Sequence, residues 1–151
     1  MMYESEQISI RERFIKNFLD ELILDEFESI QIEKLPLNRH KRSTGSCYVN
    51  AIINMNDGEV YVDGYAIKLD SSEIFQHAWN IDINGSHVDD TLSRFSENYL
   101  FKGVAIPPKL VIEVGLLRDL VWGPVLPFLT DEEIELVREY NVYNQFCSLK
   151  F

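Results

Sequence analysis

Two hydrophobic periods alternate along this chain. Ile10, Phe14, Phe18 and Leu22 recur every four residues, with Ile15 and Leu19 widening the stripe, which predicts an amphipathic helix over 9–26. Ser9 and Glu12 have capping-box spacing at its start. Ile30 and Ile32 alternate with Gln31 and Glu33, a short strand that ends before Pro36. A polar loop, Asn38 to Thr44, leads into Val49, Ile52 and Ile53 at helical spacing, so a helix is expected to open near Cys47. Asn56-Asp57-Gly58 turns the chain. The period then changes to two: Glu59 to Lys68, Ile74 to Ile83, Ser86 to Leu92 and Tyr99 to Ile106 read as strands rich in aromatic and β-branched residues. Gly64 inside the first of these signals a bulge or a close backbone approach. Pro107-Pro108 ends the last strand, and Leu110 to Leu120 reads as a helix weakened at Gly115. An apolar connector, Trp122 to Pro127, precedes a second capping box, Thr130 and Glu133, which opens a helix to about Tyr140.

No repeat or interdomain linker interrupts the 151 residues, which predicts a single domain, 1–151. At 46% hydrophobic residues the chain can bury a core and lies outside the disordered class. No apolar run approaches the ~20 residues of a membrane span. The first residues, Met1 to Glu6, lack the basic start and apolar block of a signal peptide, so a cytoplasmic protein with no membrane partner is expected. The formal net charge of −11 repels phosphate backbones and argues against nucleic acid as a general partner. It leaves room for an acidic protein that docks on a basic partner. Cys47 and Cys147 are too few for a disulfide scaffold, and no CxxC or HxxxH spacing marks a zinc site. Both thiols are expected to be free, with a Cys47–Cys147 bridge left open.

Chemistry concentrates in the middle of the chain. Cys47 sits at or near the first turn of its helix, where unpaired N–H groups and the positive dipole end favour an anion such as a thiolate. The basic cluster Arg39 to Arg42 leads into it and suits an anionic group as well. His77 follows in His77-Ala78-Trp79 on a predicted strand, and Asp89 follows in Val88-Asp89-Asp90-Thr91 on the next. Cysteine, histidine and aspartate in that order can serve as nucleophile, base and the group that orients the base. A metal site built on His40, His77 and His87 matches no ligand spacing and ranks last, so no metal and no cofactor are expected.

The hairpin complicates the third role. A two-residue turn at Asn84-Gly85 pairs Ile83 with Ser86, which puts Leu92 opposite His77 and Asn80 opposite Asp89. Partners share a face and neighbours alternate, so in that register Asp90, opposite Trp79, shares the face of His77 and Asp89 does not. A bulge or a different turn length would reverse the assignment.

The blocks Cys47-Tyr48-Val49-Asn50-Ala51, Tyr61-Val62-Asp63-Gly64-Tyr65, His77-Ala78-Trp79-Asn80, Val88-Asp89-Asp90-Thr91 and Tyr99 to Gly103 resemble, in order, those of papain-like and transglutaminase-like cysteine enzymes. The resemblance covers about residues 45–105. It implies an α+β fold, with the nucleophile helix packed on a small antiparallel sheet between flanking helices. It also implies a Cys47-His77-Asp89 triad acting on an amide of a protein or peptide substrate, by hydrolysis, deamidation or transamidation. Two positions depart from the family. Asp90 stands where the family usually has proline, which keeps Asp90 as the alternate third member. No Gln or Asn closely precedes Cys47, so the oxyanion donors would be the Cys47 N–H with Asn50 or Asn54, and Trp79 is a further candidate substrate contact. Matching the blocks favours Asp89 over Asp90. The competing function is a non-catalytic acidic binding or inhibitor protein on the same fold.

Overall fold

A computed structural model describes Ile30, Ile32 and residues 47–92, 98–126 and 129–140. The predicted helix over 9–26, the basic loop with Asn38 and His40, and Cys147 lie outside the described residues. Among those described, the architecture is α+β. Helix α1 (Cys47–Met55) is followed by strands β1 (Val60–Lys68), β2 (Ile74–Ile81), β3 (His87–Val88) and β4 (Tyr99–Ile106). Helices α2 (Pro108–Leu117) and α3 (Asp131–Glu139) complete it. The strands form one antiparallel sheet in the order β3-β2-β1-β4. No described helix is long and apolar enough to cross a membrane.

β1 lies at the centre and is buried from Tyr61 to Ala66, because alternating residues enter two different cores. Tyr61 and Tyr65 join Ala51, Ala78, Val104, Ile106 and the apolar residues of α2 and α3. Val62 and Ala66 join Trp79, Phe101 and Ile32 on the other face. Truncating one of these fully buried aromatics to alanine would cost about 3–5 kcal/mol. Gly64 makes no bulge: it stays in regular register between His77 and Gly103. The close-approach alternative holds there, since a Cβ on Gly64 would meet the Lys102 carbonyl at 2.1 Å. Gly103 likewise leaves room for the Trp79 ring, 2.7 Å from where its Cβ would stand.

Other sequence expectations shift by a turn. The apolar stripe Val49, Ile52, Ile53 faces the core only through Ile52: Val49 and Ile53 are exposed, and Asn50, Ala51 and Asn54 are buried. Gly58, at φ +87°, takes the left-handed conformation that ends α1 and returns the chain to β1. α2 begins at Pro108, two residues earlier than expected, because proline lacks only an N–H that a first helical residue leaves unbonded. It ends by Leu117, where Asp119 and Leu120 turn left-handed. Gly115 is a contact point, with Trp122 lying 2.2 Å from where a Cβ would stand.

The expected capping box at Thr130 and Glu133 is formed at the start of α3. Glu133 also takes the Arg118 fork, Nε to Oε2 at 2.9 Å and Nη2 to Oε1 at 3.0 Å. Burial opposes its charge, but the fork and the Thr130 N–H hold the carboxyl below its usual range. Arg118 donates further to the carbonyls of Pro124 and Val125, so one side chain ties α2, the connector and α3 together.

Candidate active site

The site is built where β3 stops. The hairpin after β2 is not the two-residue turn expected from Asn84-Gly85. Asp82 N donates to Ser86 O at 2.8 Å and Gly85 N donates to Asp82 O at 3.0 Å, with Gly85 at φ +84°. These bonds make a three-residue loop, a turn followed by a left-handed glycine. Ile81 therefore faces His87 and Asn80 faces Val88, one residue off the Ile83–Ser86 register. A one-residue slip exchanges the faces of every side chain. It gives Asp89 the parity of His87, and hence of Ile81, Trp79 and His77, and turns Asp90 the other way.

His77 Nε2 lies 2.6 Å from Asp89 Oδ2, with both side chains buried. Asp89 Oδ1 accepts the backbone N–H groups of Thr91 at 2.9 Å and Leu92 at 3.1 Å, so both carboxyl oxygens are engaged. On the other side of the imidazole stands the half-buried Cys47, the first residue of α1, close enough to raise the ring's pKa. With Nε2 committed to Asp89, Nδ1 is the nitrogen left for sulfur, a tautomer assigned from the partners. Strand alternation sends the His77 ring away from the core under α1, yet the thiol reaches it. Among the described residues β3 pairs only with Asn80 and Ile81, so no described strand covers β2 on that side at His77.

The ring is held on its other sides by aromatics. Trp79 stacks on it at 5.9 Å between centroids and 27° between planes, and Phe101 tilts against it at 6.1 Å. Trp79 Nε1 donates to His87 Nδ1 at 2.9 Å, and burial pushes the His87 pKa down. For His77, burial also favours the neutral ring, but the bonds to Asp89 and then to Cys47 outweigh it and push the pKa up to about 9. An imidazole so placed stays charged at neutral pH.

Two expected contacts have other employment. Asn50 is 5% exposed and donates to Thr91 Oγ1 at 2.9 Å. Trp79 is 1% exposed beneath the histidines. Both belong to the frame of the site and present no open surface to a substrate. The Cys47 N–H is different: at the first turn of a helix it has no intrahelical acceptor and can meet a developing oxyanion. His77 and His87 are bonded to Asp89 and Trp79, and among the described residues no three His, Cys, Asp or Glu side chains gather to hold a metal. A crevice of about 440 Å³ lined by Lys68, Leu69, Asp70, Asn98 and Tyr99 contains none of the three residues.

Sequence reasoning missed a second cluster beside the triad. Asn54, Asn80, Asp90 and Thr91 are buried together with Asn50. Asn54 Nδ2 donates to Asn80 Oδ1 at 3.0 Å and to Asp90 Oδ2, and Asn80 Nδ2 donates to Ala51 O at 3.0 Å. The available signal was polar spacing: Asn50 and Asn54 follow Cys47 by three and seven residues, one stripe on an otherwise apolar helix. No family model, curated protein or solved structure matches the chain.

Proposed function

We propose that this chain is a cysteine-dependent amide hydrolase or acyl transferase with a papain- or transglutaminase-like fold. Cys47 is the nucleophile, His77 the base and acid, and Asp89 the group that orients the imidazole. The observation that carries the reading is the His77 Nε2–Asp89 Oδ2 contact at 2.6 Å, with Cys47 beside the same imidazole. In the reaction His77 Nδ1 holds the proton given up by the thiol, and sulfur attacks the amide carbonyl carbon. The carbonyl electron pair moves onto oxygen, which the Cys47 N–H stabilises. Collapse breaks the C–N bond, and Nδ1 returns the proton to the leaving amine. Water or a second amine then attacks the thioester with His77 again as base, restoring the thiol and releasing an acid or a new amide. The balance needs no cofactor. Val49, exposed two residues from Cys47, offers apolar surface to a peptide chain.

The test is acyl-enzyme trapping. The protein is incubated with a mixture of short peptides rich in glutamine and asparagine, quenched in acid and mapped by mass spectrometry. An acyl adduct on Cys47, discharged by hydroxylamine and absent from Cys47→Ser, is the expected result. No adduct, together with equal iodoacetamide labelling of Cys47 in the parent and in His77→Ala, would leave the non-catalytic acidic binding protein as the reading.

A further inference from the structure

Consecutive aspartates divide the work at this site. Asp89 turns to His77, whereas Asp90 turns to Asn54 on the nucleophile helix. Thr91 does both: its N–H donates to Asp89 Oδ1, and its Oγ1 accepts from Asn50. The three-residue segment 89–91 is therefore bonded to the base through one side chain and to the nucleophile's helix through two. Cys47, Asn50 and Asn54 share one helix stripe, so a bond at either asparagine fixes the rotation of α1 about its axis as well as its distance from β2. Asn80 closes the frame from the sheet. It receives Asn54 on its oxygen and donates through its nitrogen to the carbonyls of Ala51 and, at 3.2 Å, Val60.

We propose that Asp90 and Thr91, through Asn54 and Asn50, are positioning residues that set where the Cys47 thiol stands relative to His77. The proposal rests on the cysteine-enzyme reading above. Apolar contacts of Ala51, Tyr48, Ile52 and Met55 hold α1 on the core, while Val49 and Ile53 point outward. The directional bonds at Asn50 and Asn54 add a fixed rotation and distance to that packing. A site of this kind loses about a hundredfold in rate when a reacting atom is misplaced by about 1 Å. The tie also explains aspartate at position 90, where the resembling family usually carries proline. A proline there would offer the Asn54 amide no acceptor.

The experiment measures the rate of Cys47 alkylation by iodoacetamide between about pH 5 and 9 in the full chain, with a thermal melt on each variant. In the parent, labelling should be faster than in His77→Ala, which lacks the charge beside the sulfur. Asp90→Ala should slow labelling at the acid end about tenfold and bring the profile towards that of His77→Ala. Asp90→Asn retains an oxygen for the Asn54 amide and should stay within about threefold of the parent. Thr91→Val, which removes the acceptor of Asn50 at constant shape, should act like Asp90→Ala, with Thr91→Ser restoring the rate. That pair decides the matter if Asp90→Ala does not fold. Lower melting temperatures with the parent's labelling profile in Asp90→Ala and Thr91→Val would overturn the proposal, reducing the cluster to a structural role. Equal profiles in the parent and His77→Ala would overturn it together with the proposed function, an outcome recognised without either positioning variant.

Discussion

Asp89 and Asp63 are both buried aspartates at 1% exposure, one serving each face of the sheet, and they differ in what their oxygens meet. Asp89 is engaged at both: Oδ2 with the imidazole, Oδ1 with two backbone N–H groups. Asp63 takes the N–H groups of Val125 at 3.1 Å and Leu126 at 2.9 Å on Oδ2 alone. Its Oδ1 is buried without a hydrogen-bond partner. Burial pushes the Asp63 pKa up, and those two N–H bonds and the more distant Arg118 charge only partly offset it, leaving it near 7. Arg118 cannot do more, because its fork is spent on Glu133. Asp89 thus holds the imidazole, and Asp63 is a strut that hangs the connector from β1. A buried carboxyl takes its role from the partners folded against it.

Breaking the Asp89 side of this comparison should have the largest effect. In Asp89→Asn the remaining Oδ1 can still accept from Thr91 and Leu92, so the fold should survive. The new Nδ2 would donate to His77 Nε2, forcing the ring proton onto Nδ1, where it faces Cys47 and cannot serve as base. Turnover of any peptide amide that acylates Cys47 should fall by about 10³-fold, with a melting temperature near that of the parent. Asp90→Asn should cost far less. A reversed order would mean that Asp90 orients the base in solution.

Much of this site was legible in the chain, for identifiable reasons. Cys47 at a helix start and His77 on a strand follow from periodicity. Asp89 was chosen by block resemblance against the idealised hairpin, and the structure places Asp89 beside His77 because the turn is one residue longer. Asn84-Gly85 suits either turn, since both use a left-handed glycine after asparagine. The residue that distinguishes them is Asp82, whose Oδ1 accepts from Asn84 N at 2.9 Å and Ser86 N at 3.0 Å, stabilising the longer loop. The inward asparagines of α1 were illegible for another reason. Hydrophobic pattern assigns polar residues to water, and here the helix meets a polar frame that only the folded chain assembles.

The Asp63 side predicts a stability change. A carboxyl whose folded pKa is raised binds more protons folded than unfolded between the two values, so stability falls as pH rises through that interval. For Asp63 the window runs from about 4 to 7, and the loss approaches ~4 kcal/mol as an upper figure. Asp63→Asn keeps an oxygen for Val125 and Leu126 and removes the charge. Urea denaturation across this range should lose the corresponding downward slope, with Cys47 labelling within about twofold of the parent. An unchanged slope would mean that Asp63 stays ionised at little cost, and the contrast with Asp89 would shrink to geometry.

The smallest effect belongs to His77, and it sharpens the comparison by separating the two faces on the pH axis. Its folded pKa is raised as well, from 6.5 to about 9, but its charged form is cationic and is favoured by Asp89 and Cys47. The stability it contributes is complete below about pH 6.5 and is lost as pH rises to about 9, up to ~3 kcal/mol. The parent should therefore weaken in two stages, Asp63 ionising in the first and His77 discharging in the second. His77→Gln should abolish the second stage and spare the first, and Asp63→Asn the reverse. The measurement is the urea midpoint at half-unit steps, about pH 5 to 9, in the parent, each single variant and the double. Because the groups lie on opposite faces with separate partners, their effects should add within about 0.5 kcal/mol. A larger departure would show that the sheet transmits charge between its faces, and the strut and the His77–Asp89 pair could no longer be treated as independent.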